Sequence, residues 1–159
     1  MKFLPNPAKD PAERTLIFQI DRREEALLLA VLRLYPVIQN SHHHLSKDPQ
    51  RAGSSEQRLL EESMAQQRAA HRRKLDELFL KPQRFFKDAP GERRLVLKGD
   101  QFEWLLQVLN DIRVGSWVKL GCPDLEKAPP LELTRANARY LHSMDLSGQF
   151  QMALLEAVK

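Results

Sequence analysis

The sequence predicts an α+β domain, predominantly helical, with two short strands that pair with each other and four or five helices. Three observations carry this. Two short β-prone runs, Thr15–Ile20 and Leu95–Leu97, each lead into an acidic residue and an apolar helical pattern. A long polar helix lies between them, and a mixed helix closes the chain. At 159 residues, the chain has the length of one domain with a sizeable core.

Residues 1–14, MKFLPNPAKDPAER, contain three prolines and no apolar signal core, and read as a flexible arm before a single domain over 15–159. The first unit, 15–35, is a strand followed by Asp21 and, three residues on, Glu24. That spacing predicts a capping box, in which each side chain takes the other residue's backbone amide. Ala26 to Leu34 is then strongly apolar, and Pro36 ends the helix near Tyr35. Val37 to Gly53 is polar and turn-rich and includes His42, His43 and His44. Adjacent histidines cannot converge on one ion, and no second ligand cluster has metal spacing, so a solvated loop is expected and no metal.

A long helix is predicted from Ser54 or Ser55 to about Leu80, with Leu60, Met64, His71, Leu75 and Leu78 on one face. From Arg68 to Lys98, ten Lys or Arg face four acids, about +6, within a chain of net charge +4. Arg68, Arg72, Arg73, Lys74, Lys81 and Arg84, interleaved with phenylalanines, are the candidate surface for nucleic acid or an acidic partner. A solvated helix face with core phenylalanines is the simpler reading. His71 reads as a hydrogen-bonded core or edge histidine. A catalytic or switching role needs a partner carboxylate that the spacing does not identify.

The second unit, 94–121, repeats the first. LIFQIDRREEALLLAVL from Leu16 aligns without a gap on LVLKGDQFEWLLQVLND from Leu95, at an offset of 79. Asp100 and Glu103 therefore fall where Asp21 and Glu24 do, and a second capping box is expected. Gly121 suits a left-handed helix end, with Pro123 blocking continuation. Gly115, inside the helical pattern, marks either close packing or a kink. Glu103, Asn110, Arg113 and Trp117 share one polar face of this helix, suited to gripping a partner or tying down structure. The closing helix, 134–158, is expected to carry an apolar face of Met152, Leu154, Leu155 and Val158, with a break at Ser147-Gly148.

Chemistry is sparse. The chain has no glycine-rich phosphate loop, no Gly-x-Ser-x-Gly elbow and no paired-cysteine or His-Glu-x-x-His motif. The single cysteine, Cys122, fits a reducing cytoplasm. It follows a helix C-terminus, which disfavours a thiolate. No run of about 18 apolar residues predicts a membrane span. No catalytic residue, metal or cofactor is therefore expected.

The run LLQVLNDIRVGSWVKLG resembles a bacterial family known only as a domain of unknown function, number two-zero-one-seven. Its members carry a Leu-Asn-Asp-aliphatic-Arg run and then a Leu-Gly. Here the corresponding positions are Leu109, Asn110, Asp111, Ile112, Arg113, Leu120 and Gly121. The stretch from Tyr140 is similar to that family's closing helix. The chain departs from the family in its basic middle, its histidine loop and Gly115. Members are often encoded near the ClpS proteolytic adaptor, and the resemblance implies a regulator or adaptor rather than an enzyme. The functional expectation is a non-enzymatic cytoplasmic interaction protein of unknown partner that self-associates. A DNA-binding regulator is the alternative, and an enzyme using Glu103, Asn110 and Arg113 is the remote one.

Overall fold

The computed structural model describes residues 1–4, 15–38, 55–79, 85–89, 92–124 and 134–158. The chain is a mixed α+β fold, predominantly helical. Its elements are strands β1 (Lys2–Leu4), β2 (Thr15–Asp21), β3 (Phe85–Ala89) and β4 (Glu92–Lys98), and helices α1 (Arg22–Leu32), α2 (Ser55–Leu78), α3 (Gly99–Lys119) and α4 (Ala138–Leu155), with a 3-10 turn at Glu156–Val158. The strands form one antiparallel sheet in the order β1-β2-β4-β3.

The two expected strands do pair, in the register Leu16↔Leu97 and Phe18↔Leu95. Alternation then decides the faces. Leu16, Phe18 and Ile20 are buried, as are Leu95 and Leu97, so one face of the sheet is apolar and the helices cover it. Arg93 leaves β4 on the same side and holds Glu25 of α1 through Nε–Oε2 at 2.8 Å and Nη1–Oε1 at 3.1 Å. This two-point pair fixes the start of α1 over the sheet.

Two further strands correct the sequence expectation. Lys2–Leu4, expected as part of a flexible arm, pairs with β2. Phe3 packs its ring on Phe18 at 5.7 Å, and the terminal ammonium of Met1 pairs with Glu24. Three residues are too short to signal a strand, but β2 offers them a free edge. Phe85–Ala89, expected as a basic link, pairs with β4 through a bulge between Lys87 and Ala89.

The caps differ between the two units. In α1 the box is present: Glu24 N–H donates to Asp21 Oδ1 at 2.7 Å, and Asp21 N–H donates to Glu24 Oε2 at 3.1 Å. In α3 the helix begins at Gly99, so Asp100 is not the cap and Glu103 does not complete a box. Lys98 N–H instead donates to Gln101 Oε1 at 3.1 Å, and Asp100 sits in the first turn beside Lys74 Nζ at 3.8 Å. β4 pairs right up to Lys98, and the helix starts at the next residue. The C-terminal end of α3 is as expected. Gly121 (φ 85°) follows the cap residue Leu120, with Gly121 N–H on Val118 O at 3.0 Å and Cys122 N–H on Trp117 O at 3.0 Å.

α3 is the central helix. Phe102, Trp104, Leu105, Val108, Leu109 and Ile112 are buried along it. Its main helix neighbour is α4. Small buried residues, Ser116 on α3 and Ser143 and Ser147 on α4, allow the close approach. Gly115 serves close packing: a Cβ there would lie 3.0 Å from Val37 Cβ, in the segment after α1. α4 runs unbroken through Ser147-Gly148. It starts later than expected, because Thr134 and Asn137 exchange bonds in a preceding turn, Thr134 N–H to Asn137 Oδ1 at 2.8 Å and Asn137 N–H to Thr134 Oγ1 at 3.3 Å. Its predicted apolar face divides. Leu154 enters the core, while Met152, Leu155 and Val158 stay exposed.

Candidate functional site

Polar and apolar groups meet on two adjacent sides of α3. The first is where α2 docks. Its anchoring side chains lie in its C-terminal half: Leu75 and Phe79 are buried, and Phe79 stacks on Trp104 at 6.2 Å. The N-terminal half leaves Leu59 and Leu60 exposed.

Three of the six candidate nucleic-acid residues take part in this docking. Arg68 Nη1 donates to Ile38 O at 3.4 Å. Arg72 Nη1 donates to Tyr35 O at 2.5 Å, and its Nε lies 3.4 Å from Asp76 Oδ1. Lys74 Nζ lies 5.2 Å above the Trp104 ring. The segment after α1 leaves carbonyls at Tyr35 and Ile38 outside any helix or sheet, and a guanidinium satisfies them well. Arg73 is exposed. Lys81 and Arg84 lie outside the described residues, as do His42–His44. Among the described residues, no group of three His, Cys, Asp or Glu side chains is placed to hold a metal, and no helix is long and apolar enough to cross a membrane.

The carboxylate that His71 lacked in the sequence is Asp111, reached through Tyr35. The Tyr35 side chain is buried, its hydroxyl 3.3 Å from His71 Nδ1 and hydrogen-bonded to Asp111. One hydroxyl proton cannot serve both neighbours. With Asp111 ionised, the hydroxyl donates to the carboxylate, and His71 donates its Nδ1–H to the phenol oxygen. Burial pushes Tyr35 up to about 12; the Asp111 charge adds to this and Arg68 opposes it. Asp111 belongs to the exposed side of α3, yet desolvation by the surrounding chain raises its pKa, against the lowering influence of His71, Arg68 and the Tyr35 hydroxyl. A phenol held this firmly in its protonated form is a donor and a strut, not a nucleophile. Tyr35, His71 and Asp111 come from three distant positions, and no spacing rule connects them.

The second side is a groove of about 770 Å³ between α3 and α4. Val114, Trp117, Leu141, Met144 and Met152 supply its apolar lining. Arg113, His142 and Asp145 stand among them. The motif residues Asn110, Asp111 and Arg113 thus divide between the two sides. Asp111 faces Tyr35, whereas Arg113 lines the groove and donates from Nη2 to Asn110 Oδ1 at 3.3 Å. Trp117 is held by Nε1–H to Pro123 O at 3.0 Å. Glu103, about two turns before Asn110, is exposed and does not line the groove. The sequence pattern pointed to Arg113 and Trp117 on α3 and Met152 on α4, but not to Val114, Leu141 and Met144, which join them only when the two helices pack.

Comparison with protein-family models, with curated proteins and with solved structures finds no match to this chain.

Proposed function

We propose that this chain is a non-enzymatic cytoplasmic regulatory protein that works by protein–protein contact and self-associates through its α3–α4 face. The observation that carries the reading is the groove, an apolar concavity continued by exposed Met152, Leu155 and Val158. Met152 is 67% exposed at its edge, apolar area that a second copy would remove from water. Both charge signs stand in the groove, so a second copy can set its Arg113 against Asp145. The α3 run resembles a bacterial family of unknown function whose members are often encoded near the ClpS adaptor, and that resemblance favours the same reading. The nucleic-acid alternative has weaker support, because Arg72 and Lys74 are engaged within the molecule.

Sedimentation equilibrium of the full chain tests this. The wild type is expected to dimerise at micromolar concentration, and Val114→Glu with Met152→Glu is expected to give a folded monomer. A wild type that stays monomeric throughout, or a double variant that dimerises unchanged, overturns the assignment.

A further inference from the structure

A second cavity, of about 200 Å³, lies beside the groove with Val114 lining both, and it takes Arg68 from the basic helix. Three segments build it: the residues after α1, the middle of α2, and α3. Its polar lining is Arg68, Asn110, Asp111 and Tyr35. Its apolar lining includes Val37, Ile38 and Met64. Gly115 completes the wall, and any side chain there would press on Val37.

The charges are opposite in sign and held in place. Arg68 is anchored through one nitrogen to Ile38 O, and a guanidinium has five N–H donors, so others remain for a ligand. Asn110 spends its oxygen on Arg113, which leaves its NH₂ group to donate. Asp111 is oriented by the Tyr35 hydroxyl, and its carboxylate is partly desolvated. A simple anion here would be repelled by Asp111, and a simple cation by Arg68. A molecule with both charges on a short apolar body satisfies both ends. The cavity is smaller than the roughly 300–1,000 Å³ of drug-sized sites, which limits the ligand to a few heavy atoms.

We infer that this cavity binds a small zwitterion of the amino-acid type, with its ammonium on Asp111, its carboxylate on Arg68 and the Asn110 amide, and its apolar body against Val37, Ile38 and Met64. All the charged contacts of the site come from a single chain, so a monomer can bind.

The test is titration calorimetry of the full chain with glycine, alanine, valine and methionine. Isobutyrate and isobutylamine serve as the single-charge controls for valine. At least one amino acid is expected to bind saturably in the millimolar range or tighter, and the two controls at least tenfold more weakly. Asp111→Asn and Arg68→Gln are each expected to weaken binding at least tenfold, with circular dichroism unchanged. If Arg68→Gln unfolds through loss of its Ile38 contact, Asp111→Asn decides alone. The inference is overturned if no amino acid saturates by about 10 mM. It is equally overturned if a single-charge control binds as well as valine, or if Asp111→Asn binds like the wild type.

Discussion

Tyr35→Phe isolates the hydroxyl that joins three segments of the fold. The ring stays and its packing is kept, so the change removes one donor and acceptor between His71 and Asp111. A hydrogen bond between neutral groups contributes about 1 kcal/mol, and one to a charged group roughly 1.5–3 kcal/mol. The Asp111 bond is of the second kind, so the expected loss is about 2 kcal/mol at neutral pH. For a domain of this size that corresponds to a fall in Tm of roughly 4–8 °C. The pH dependence is more diagnostic. The folded state holds the Tyr35 proton more tightly than the unfolded chain, its pKa having moved from 10.0 to about 12. The resulting stabilisation is fully present below pH 10 and is lost as pH rises through about 12. Urea unfolding of both proteins, followed by circular dichroism, should show a gap that holds from neutral pH to pH 10 and narrows above it. Tyr140, the other tyrosine, is common to both proteins and cancels. Equal stability at neutral pH, or a gap that does not narrow across that window, would refute the strut.

Three further outcomes are expected. Asp21→Ala should cost about 1 kcal/mol through loss of its cap bond to Glu24, whereas Asp100→Ala should cost roughly half that, since it removes only an exposed first-turn charge; paired thermal melts separate them. Arg72→Glu should destabilise by about 1–3 kcal/mol, because Tyr35 O loses its guanidinium partner, while exposed Arg73→Glu should stay within about 0.5 kcal/mol of wild type; equal effects would show that α2 docks differently. Gly115→Val should cost roughly 1–3 kcal/mol by forcing Val37 aside, and a urea midpoint equal to wild type would mean that the segment after α1 yields freely.

Local chemistry was sufficient wherever a feature depended on neighbours in sequence. The alternation in Thr15–Ile20 and the Asp21–Glu24 spacing specify a strand and a cap, and both are present. Gly121 specifies the end of α3, since few other residues adopt its backbone angle without strain. The apolar residues from Phe102 to Ile112 recur at helical spacing and specify a helix, which is present. Pairing and docking were not local. Lys2–Leu4 is a strand because β2 has a free edge, and Asp100 is not a cap because β4 continues to Lys98. The basic residues of α2 read alike in sequence, but two arginines turn inward to the carbonyls after α1 while Arg73 faces solvent. Tyr35, His71 and Asp111 meet only because α1, α2 and α3 pack around one corner of the core. Such a network is assembled by tertiary contact, since each member alone has a polar group whose partner lies on another segment of the chain.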